Sequence, residues 1–231
     1  MNELLLQLYS NYWNDMMQNV FKADEKNHPS AYPFLLQVTQ HYQNAPKRVM
    51  FCGQETYGWG REFPNPDATD PNRLMGVYNG FVNKNWGGKQ IKKPGYNSPY
   101  WNFQWNIMKR FPDVGYVAQN IVKIGKRSKT GCDDFIFQRT LEYFPVWKEE
   151  LKILRPNCII FLTGSYDWRI RKVAGDFEVK HVGGVDGLLD QLMFKDPAMP
   201  IAFRTNHPRA LQSKGKYYLM ANAISDIISN L

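Results

Sequence analysis

The sequence holds no apolar run near the roughly 20 residues needed to cross a bilayer, which excludes a helical membrane span within it. Cysteine is scarce: Cys52, Cys132 and Cys158 are widely spaced, and no Cys-x-x-Cys pair occurs. An odd number without such pairs argues against a disulfide framework or a zinc ribbon. Cys52 and Cys158 sit inside apolar runs and read as buried core thiols. Internal repeats and low-complexity tracts are missing too. So are a Gly-x-Ser-x-Gly nucleophile elbow and a Walker motif, which argues against a serine hydrolase and a nucleotide hydrolase. Acid is short relative to base, with 21 Asp and Glu against 29 Lys and Arg and a net charge of +8. That balance favours a polyanionic partner, but only as non-specific attraction, and many basic proteins bind no nucleic acid. The opening Met1-Asn2-Glu3-Leu4 places an acid where a secretory signal carries positive charge, so a cytoplasmic protein is expected.

What is present is a globular composition. Hydrophobic residues make up 43% of 231 residues, enough for one large domain with a sizeable core. Leu5, Leu8, Tyr9, Tyr12, Met16 and Val20 recur mostly at spacings of three and four, which predicts a first helix. A second is expected over Ala31 to Tyr42, giving a helical N-terminal extension over about residues 1–45 of a single domain. Short apolar runs at Lys47 to Cys52, Tyr116 to Ile124, Cys158 to Thr163 and Ile201 to Arg204 read as buried parallel strands. Between them, Asp70-Pro71 and Ser98-Pro99 each pair an N-cap residue with proline at the first helical position. A helix over Val146 to Leu154 is stopped by Pro156, and an amphipathic helix over Lys216 to Ile228 closes the chain. Thr163-Gly164-Ser165 reads as a helix N-cap more readily than as a nucleophile. Alternating strands and helices predict a three-layer α/β/α fold around an open, mostly parallel sheet of about four strands.

In such folds ligands sit at the carboxyl ends of the strands. The first strand runs into Gly53-Gln54-Glu55-Thr56-Tyr57-Gly58, polar chemistry on the tip of an apolar strand; a plain turn with a solvated Glu55 is the alternative. Asn120 lies within a Val- and Ile-rich run. A buried amide must be hydrogen-bonded or cost roughly 1–3 kcal/mol. It is either a strand-end residue satisfied by backbone or a donor–acceptor pair suited to the edge of a base. The last strand runs into Asn206-His207-Pro208-Arg209-Ala210-Leu211. A lone histidine is usually structural, yet one just past a strand and before a stiffening proline is placed to donate to an oxygen gaining charge in a transition state.

Together these segments resemble the uracil-DNA glycosylase superfamily over roughly residues 47 to 215. Its first motif, Gly-Gln-Asp-Pro-Tyr-His in the best-known branch, is matched by Gly53 to Gly58, and its closing His-Pro-Ser-Pro-Leu by His207 to Leu211. Asn120 is similar to the family's base-reading asparagine. The resemblance implies a DNA glycosylase, a base-excision repair enzyme that flips a base out of the stack and hydrolyses its N-glycosidic bond. Uracil or another damaged base would be the substrate, and no metal or organic cofactor is needed. Glu55 would stand for the water-activating aspartate, and Gln54 would contact the base through its backbone or hold the loop. Tyr57 would fill the space beside carbon 5, and Asn120 would read the Watson–Crick edge. Phe63 is the candidate stacking ring. His207 would stabilise the leaving base, and Leu211 would wedge into the gap in the stack.

The sequence also departs from that pattern. Glu55 in place of aspartate adds a methylene, a shift of about an ångström that can cost around 10²-fold in rate. Thr56 and Gly58 replace proline and histidine; Arg209 and Ala210 replace serine and proline. Three distant cysteines do not supply the four that the iron–sulfur branches use. Basic residues cluster at Lys84, Lys89, Lys92 and Lys93, at Lys123, Lys126, Arg127 and Lys129, and at Arg204, Arg209, Lys214 and Lys216. Trp86, Tyr96, Tyr100 and Trp101 lie among or after the first cluster. They read as a grip on DNA, single- or double-stranded, or on RNA, against the alternative of solvated loops and core aromatics. The rival function is a nucleic-acid-binding protein that keeps the fold without the chemistry.

Overall fold

The computed structural model describes residues 1–56, 59, 70–83, 98–127, 131–185 and 187–231. Six strands form within them: β1 (Arg48–Gly53), β2 (Gly115–Asn120), β3 (Cys158–Phe161), β4 (Phe177–His181), β5 (Leu189–Phe194) and β6 (Ile201–Thr205). They make one sheet in the order β2-β1-β3-β6-β5-β4. The pairs β2–β1, β1–β3 and β3–β6 are parallel, while β5 runs antiparallel to both β6 and β4. The four apolar runs are therefore the parallel strands, and the count of about four is corrected to six. The extra pair lacked an apolar run for a physical reason. β4 sits at the sheet edge, where Glu178, Val179, Lys180 and His181 are all exposed, and edge strands favour charge over grease.

β1, β2 and β3 are buried because helices cover both faces, while β6 is only partly covered. Val49, Met50, Phe51 and Cys52 of β1 are each 0% exposed. Burying such side chains contributes roughly 1.5–3 kcal/mol apiece. The helices are α1 (Asn2–Met16), α2 (Gln40–Asn44), α3 (Pro71–Tyr78), α4 (Pro99–Met108), α5 (Asp134–Tyr143), α6 (Trp147–Leu154), α7 (Asp167–Ala174), α8 (Pro208–Ser213) and α9 (Tyr217–Ser229). Helix α4 packs on α8 and α9, while α1 packs on α3, α5 and α6. No helix among the described residues is long and apolar enough to cross a membrane.

The helix starts obey their local chemistry. Asp70 accepts from Arg73 N at 2.7 Å and opens α3, and Ser98 accepts from Trp101 N at 3.3 Å and opens α4. At the other end of α6, Arg155 adopts the left-handed conformation (φ 49°) before Pro156. Three expectations are corrected. The run Ala31 to Tyr42 is helical only from Gln40. Ala31 to Leu36 are all buried, a continuous burial that no helix face gives, and Pro33 falls among them. Instead this segment pairs with the chain beyond β2, with Ala31 N donating to Gly125 O (2.8 Å) and Phe34 N to Lys123 O (2.9 Å). The expected helical extension is thus an integral wall of the domain, since Leu5, Tyr9, Phe34, Leu36 and Tyr42 belong to the same core as the sheet. Second, β2 stops at Asn120 rather than Ile124. Third, Thr163-Gly164-Ser165 caps no helix, because α7 begins at Asp167 with Tyr166 at the cap position and no side-chain cap.

Candidate active site

Strand alternation sorts the end of β2 between the two faces of the sheet. Gln119 and Asn120 stand opposite Cys52 and Gly53 of β1 and point to opposite sides. Gln119 enters a buried polar cluster. Its amide donates to Glu150 of α6, and its oxygen accepts from Lys123 Nζ (3.0 Å) and from the backbone N–H of Asn120 (2.9 Å). Lys123 Nζ lies 2.7 Å from Glu150 Oε1, and Tyr9 of α1 donates to that oxygen at 2.6 Å while accepting from Leu36 N at 3.0 Å. Burial drives Glu150 towards the neutral acid and Lys123 towards the neutral amine, and their mutual attraction and hydrogen bonds oppose both drifts. Lys123 is 2% exposed, so the expectation that it contacts nucleic acid is corrected. It is a structural cation, and it braces Gln119, which holds the backbone of Asn120.

Asn120 points to the side covered by α4. A β-carbon at Gly53 would lie 2.5 Å from both Asn120 Oδ1 and the Tyr100 hydroxyl oxygen. Only glycine lets those two side chains close over the end of β1. Tyr100, in the first turn of α4, stacks nearly parallel to His207, with centroids 5.7 Å apart and planes 9° from parallel. Its ring spans from the end of β1 to the chain leaving β6. Burial raises the Tyr100 hydroxyl well above the ordinary phenol value, with Cys52 adding to the shift. Beneath this cover Asn120 is 5% exposed.

His207 follows β6 and caps α8, with Pro208 at the first helical position. Its Nδ1 accepts from Arg209 N at 3.2 Å. A ring nitrogen that accepts carries no proton, so the neutral imidazole holds its hydrogen on Nε2. Partial burial, and then the Arg209 charge, push the His207 pKa below the usual histidine value. The result is a neutral ring with one N–H free to donate.

Glu55 lies two residues beyond β1. One oxygen accepts from Gly131 N at 3.0 Å and the other from the Tyr166 hydroxyl at 2.9 Å. Among the described residues these are its two donors, which leaves two of its roughly four acceptor positions. Burial, reinforced by Glu55, raises Tyr166 above the ordinary phenol value, so it stays a donor. The loop is tightened twice more. Gln54 Nε2 donates to Thr163 O at 2.8 Å, which ties the ends of β1 and β3. A β-carbon at Gly125 would lie 2.7 Å from Thr56 O, so the chain beyond β2 passes flush against this loop.

The structure thus gathers Gln54, Glu55, Asn120 and His207 along one edge of the sheet, at the carboxyl ends of β1, β2 and β6. From β2 to β6 is three strand spacings, about 14 Å, and Tyr100 lies between, close to Asn120 Oδ1 at the end of β1 and stacked on His207. The Tyr57 and Phe63 expectations lie outside the described residues, as do Lys84, Trp86, Lys89, Lys92, Lys93, Tyr96 and Lys129. Leu211 is 0% exposed in α8, so its expected role as a wedge in the base stack is corrected: the apolar side of a short helix needs it in the core. Arg127 is engaged by Glu25 (2.7 Å) and by Ser30 O (3.2 Å), and Arg204 by Asp167 and Asp190. Arg209 and Lys214 are exposed and Lys126 is half-buried. Sequence reasoning missed Tyr166 and the place of Tyr100 in the site. The capping pair Ser98-Pro99 carried a signal for Tyr100, since it fixes that residue in the first turn of a helix. Among the described residues no group of three His, Cys, Asp or Glu could hold a metal ion.

Comparison with protein-family models finds no match for this chain, and comparison with curated proteins finds no significant relative.

Proposed function

We propose that this chain is a DNA glycosylase on a uracil-DNA glycosylase-like fold, hydrolysing the bond between uracil or another damaged base and its sugar. The observation that carries the reading is His207, a neutral imidazole whose tautomer is fixed by its own helix cap. It stands on the same sheet edge as the Glu55 carboxylate. In this chemistry the C–N bond breaks with its electron pair leaving on the base, and the sugar acquires oxocarbenium character. The Nε2–H of His207 donates to the base oxygen that gains charge. Glu55 faces the sugar, stabilises the cation and accepts a proton from the water that adds to it. Asn120 supplies donor and acceptor to the base edge. Arg209, Lys214 and Lys126 meet phosphates.

A second reading has its own observation. Asn120 is covered by Tyr100, and both Glu55 oxygens already accept protein hydrogen bonds. Those contacts suit a nucleic-acid-binding protein without catalysis. Abasic-site formation on a uracil-containing strand, compared between the wild type and Glu55→Gln, decides between the two. Binding without abasic sites favours the second.

A further inference from the structure

A second concave site opens on the far side of α4 from Asn120. It is a cavity of about 570 Å³ whose lining includes Asn102, Trp105 and Asn106 of α4, Gln212 of α8, and Tyr217 and Tyr218 of α9. Among the described residues no acidic or basic side chain lines it. Exposed Gln212 offers a donor and an acceptor beside the Tyr217 and Tyr218 rings. That is the equipment for a planar heterocycle with a polar edge.

We propose that this groove binds a base of the same strand, two nucleotides from the one presented to His207. The inference rests on the nucleic-acid substrate argued above and adds a subsite to it. Tyr218 is 70% exposed, far more than packing requires of an aromatic ring. It is footed firmly all the same: Tyr217 makes edge contacts with Tyr218 at 5.2 Å and with buried Phe103 at 5.1 Å. The Tyr217 hydroxyl also donates to Pro99 O at 3.4 Å. An aromatic ring held out in solvent is a surface on which a base can stack. Cations stand at the rim, as a phosphate backbone requires. Exposed Lys214 immediately precedes Gly215 of the lining, and Lys109 Nζ lies 4.3 Å from the centre of the Trp105 ring. The spacing fits as well. His207 caps α8 and Gln212 lies five residues further on, about 7.5 Å along the helix axis. That is roughly two base steps of 3.4 Å.

The test is binding of a fluorescent oligothymidylate, and of the same backbone lacking bases, to the wild type, Tyr218→Ala, Tyr218→Phe and Gln212→Ala. Both positions are exposed, so the folded state is not at risk. The expected result is that the wild type prefers the base-bearing strand. Tyr218→Ala should weaken that binding by about tenfold or more with the salt dependence unchanged, and Tyr218→Phe should restore it. Equal binding of both strands by the wild type, or wild-type affinity in both alanine variants, overturns the subsite. Abasic-site formation by the same protein preparations on a uracil-containing strand separates the two readings. Base-dependent binding through Tyr218 without any abasic product contradicts uracil excision and leaves the subsite standing. No binding to either strand defeats the subsite together with the nucleic-acid reading.

Discussion

Removing one member of the buried Lys123–Glu150 pair should be among the most damaging single changes in this protein. Lys123→Met takes away the cation 2.7 Å from Glu150 Oε1 and leaves that carboxylate, 0% exposed, with donors from Tyr9 and Gln119 only. Breaking a buried pair from one side costs about 3–5 kcal/mol. For a chain of this length that corresponds to a fall in Tm of roughly 6–20 °C. The loss should also depend on pH in a particular direction. Burial already raises the Glu150 pKa above 4.5, and losing Lys123 raises it further. The folded state then keeps a proton that the unfolded state releases, so the variant loses stability as pH rises from about 4.5 towards the folded pKa. Replacing both partners, as Lys123→Met with Glu150→Leu, removes the stranded charge and should recover most of the loss. Denaturant unfolding of the wild type, both singles and the double across pH 4 to 8 measures all of this. A cost below about 1 kcal/mol for Lys123→Met, or a double variant no better than the worse single, would refute the assignment of Lys123 as a structural cation.

The remaining expectations concern the site. His207 should titrate below the ordinary histidine value in a side-chain NMR experiment. Because its folded pKa lies below the unfolded one, its contribution to stability is fully present above about pH 6.5. That contribution is lost as pH falls from there through the folded pKa; His207→Gln should flatten this part of the profile. Tyr100→Ala should expose the Asn120 amide, seen as at least tenfold faster exchange of its side-chain protons with water. Unchanged exchange would show that Tyr100 is not the cover. In DNA binding, Lys214→Ala should reduce the salt slope by about 0.7–0.9, whereas Lys123→Met, being buried, should leave it unaltered wherever the variant stays folded.

Much of this architecture is legible in the sequence because burial on both faces forces continuous apolar runs. That made β1, β2 and β3 visible, along with the polar residues at their ends, while partly exposed β6 showed only as a short apolar run ending in Arg204. β4 and β5 escaped because an edge hairpin is half in solvent and carries Glu178 and Lys180 like any surface loop. The Ala31 to Leu36 segment misled for the opposite reason: full burial of an irregular stretch leaves no period to read. At the site, sequence order could bring Glu55, Asn120 and His207 to one edge, but not the third dimension around them. Tyr100 comes from a helix that crosses from the side, and Tyr166 from the turn after β3. Lys123 shows the limit of counting charge. Its neighbours Lys126 and Arg127 made it look like part of a basic surface, while its partner Glu150 lies 27 residues away along the chain and closes on it only in the folded state.

The most direct test of the proposed chemistry is single-turnover release of uracil from single- and double-stranded DNA, read as alkali-labile abasic sites, for the wild type, Glu55→Gln and His207→Ala. The account predicts cleavage by the wild type and a loss of about 10²–10⁴ in rate for each variant, with DNA affinity preserved. Wild-type activity that survives both substitutions would contradict the roles of Glu55 and His207. Tight binding with no abasic product on either strand would contradict uracil excision and favour the binding protein.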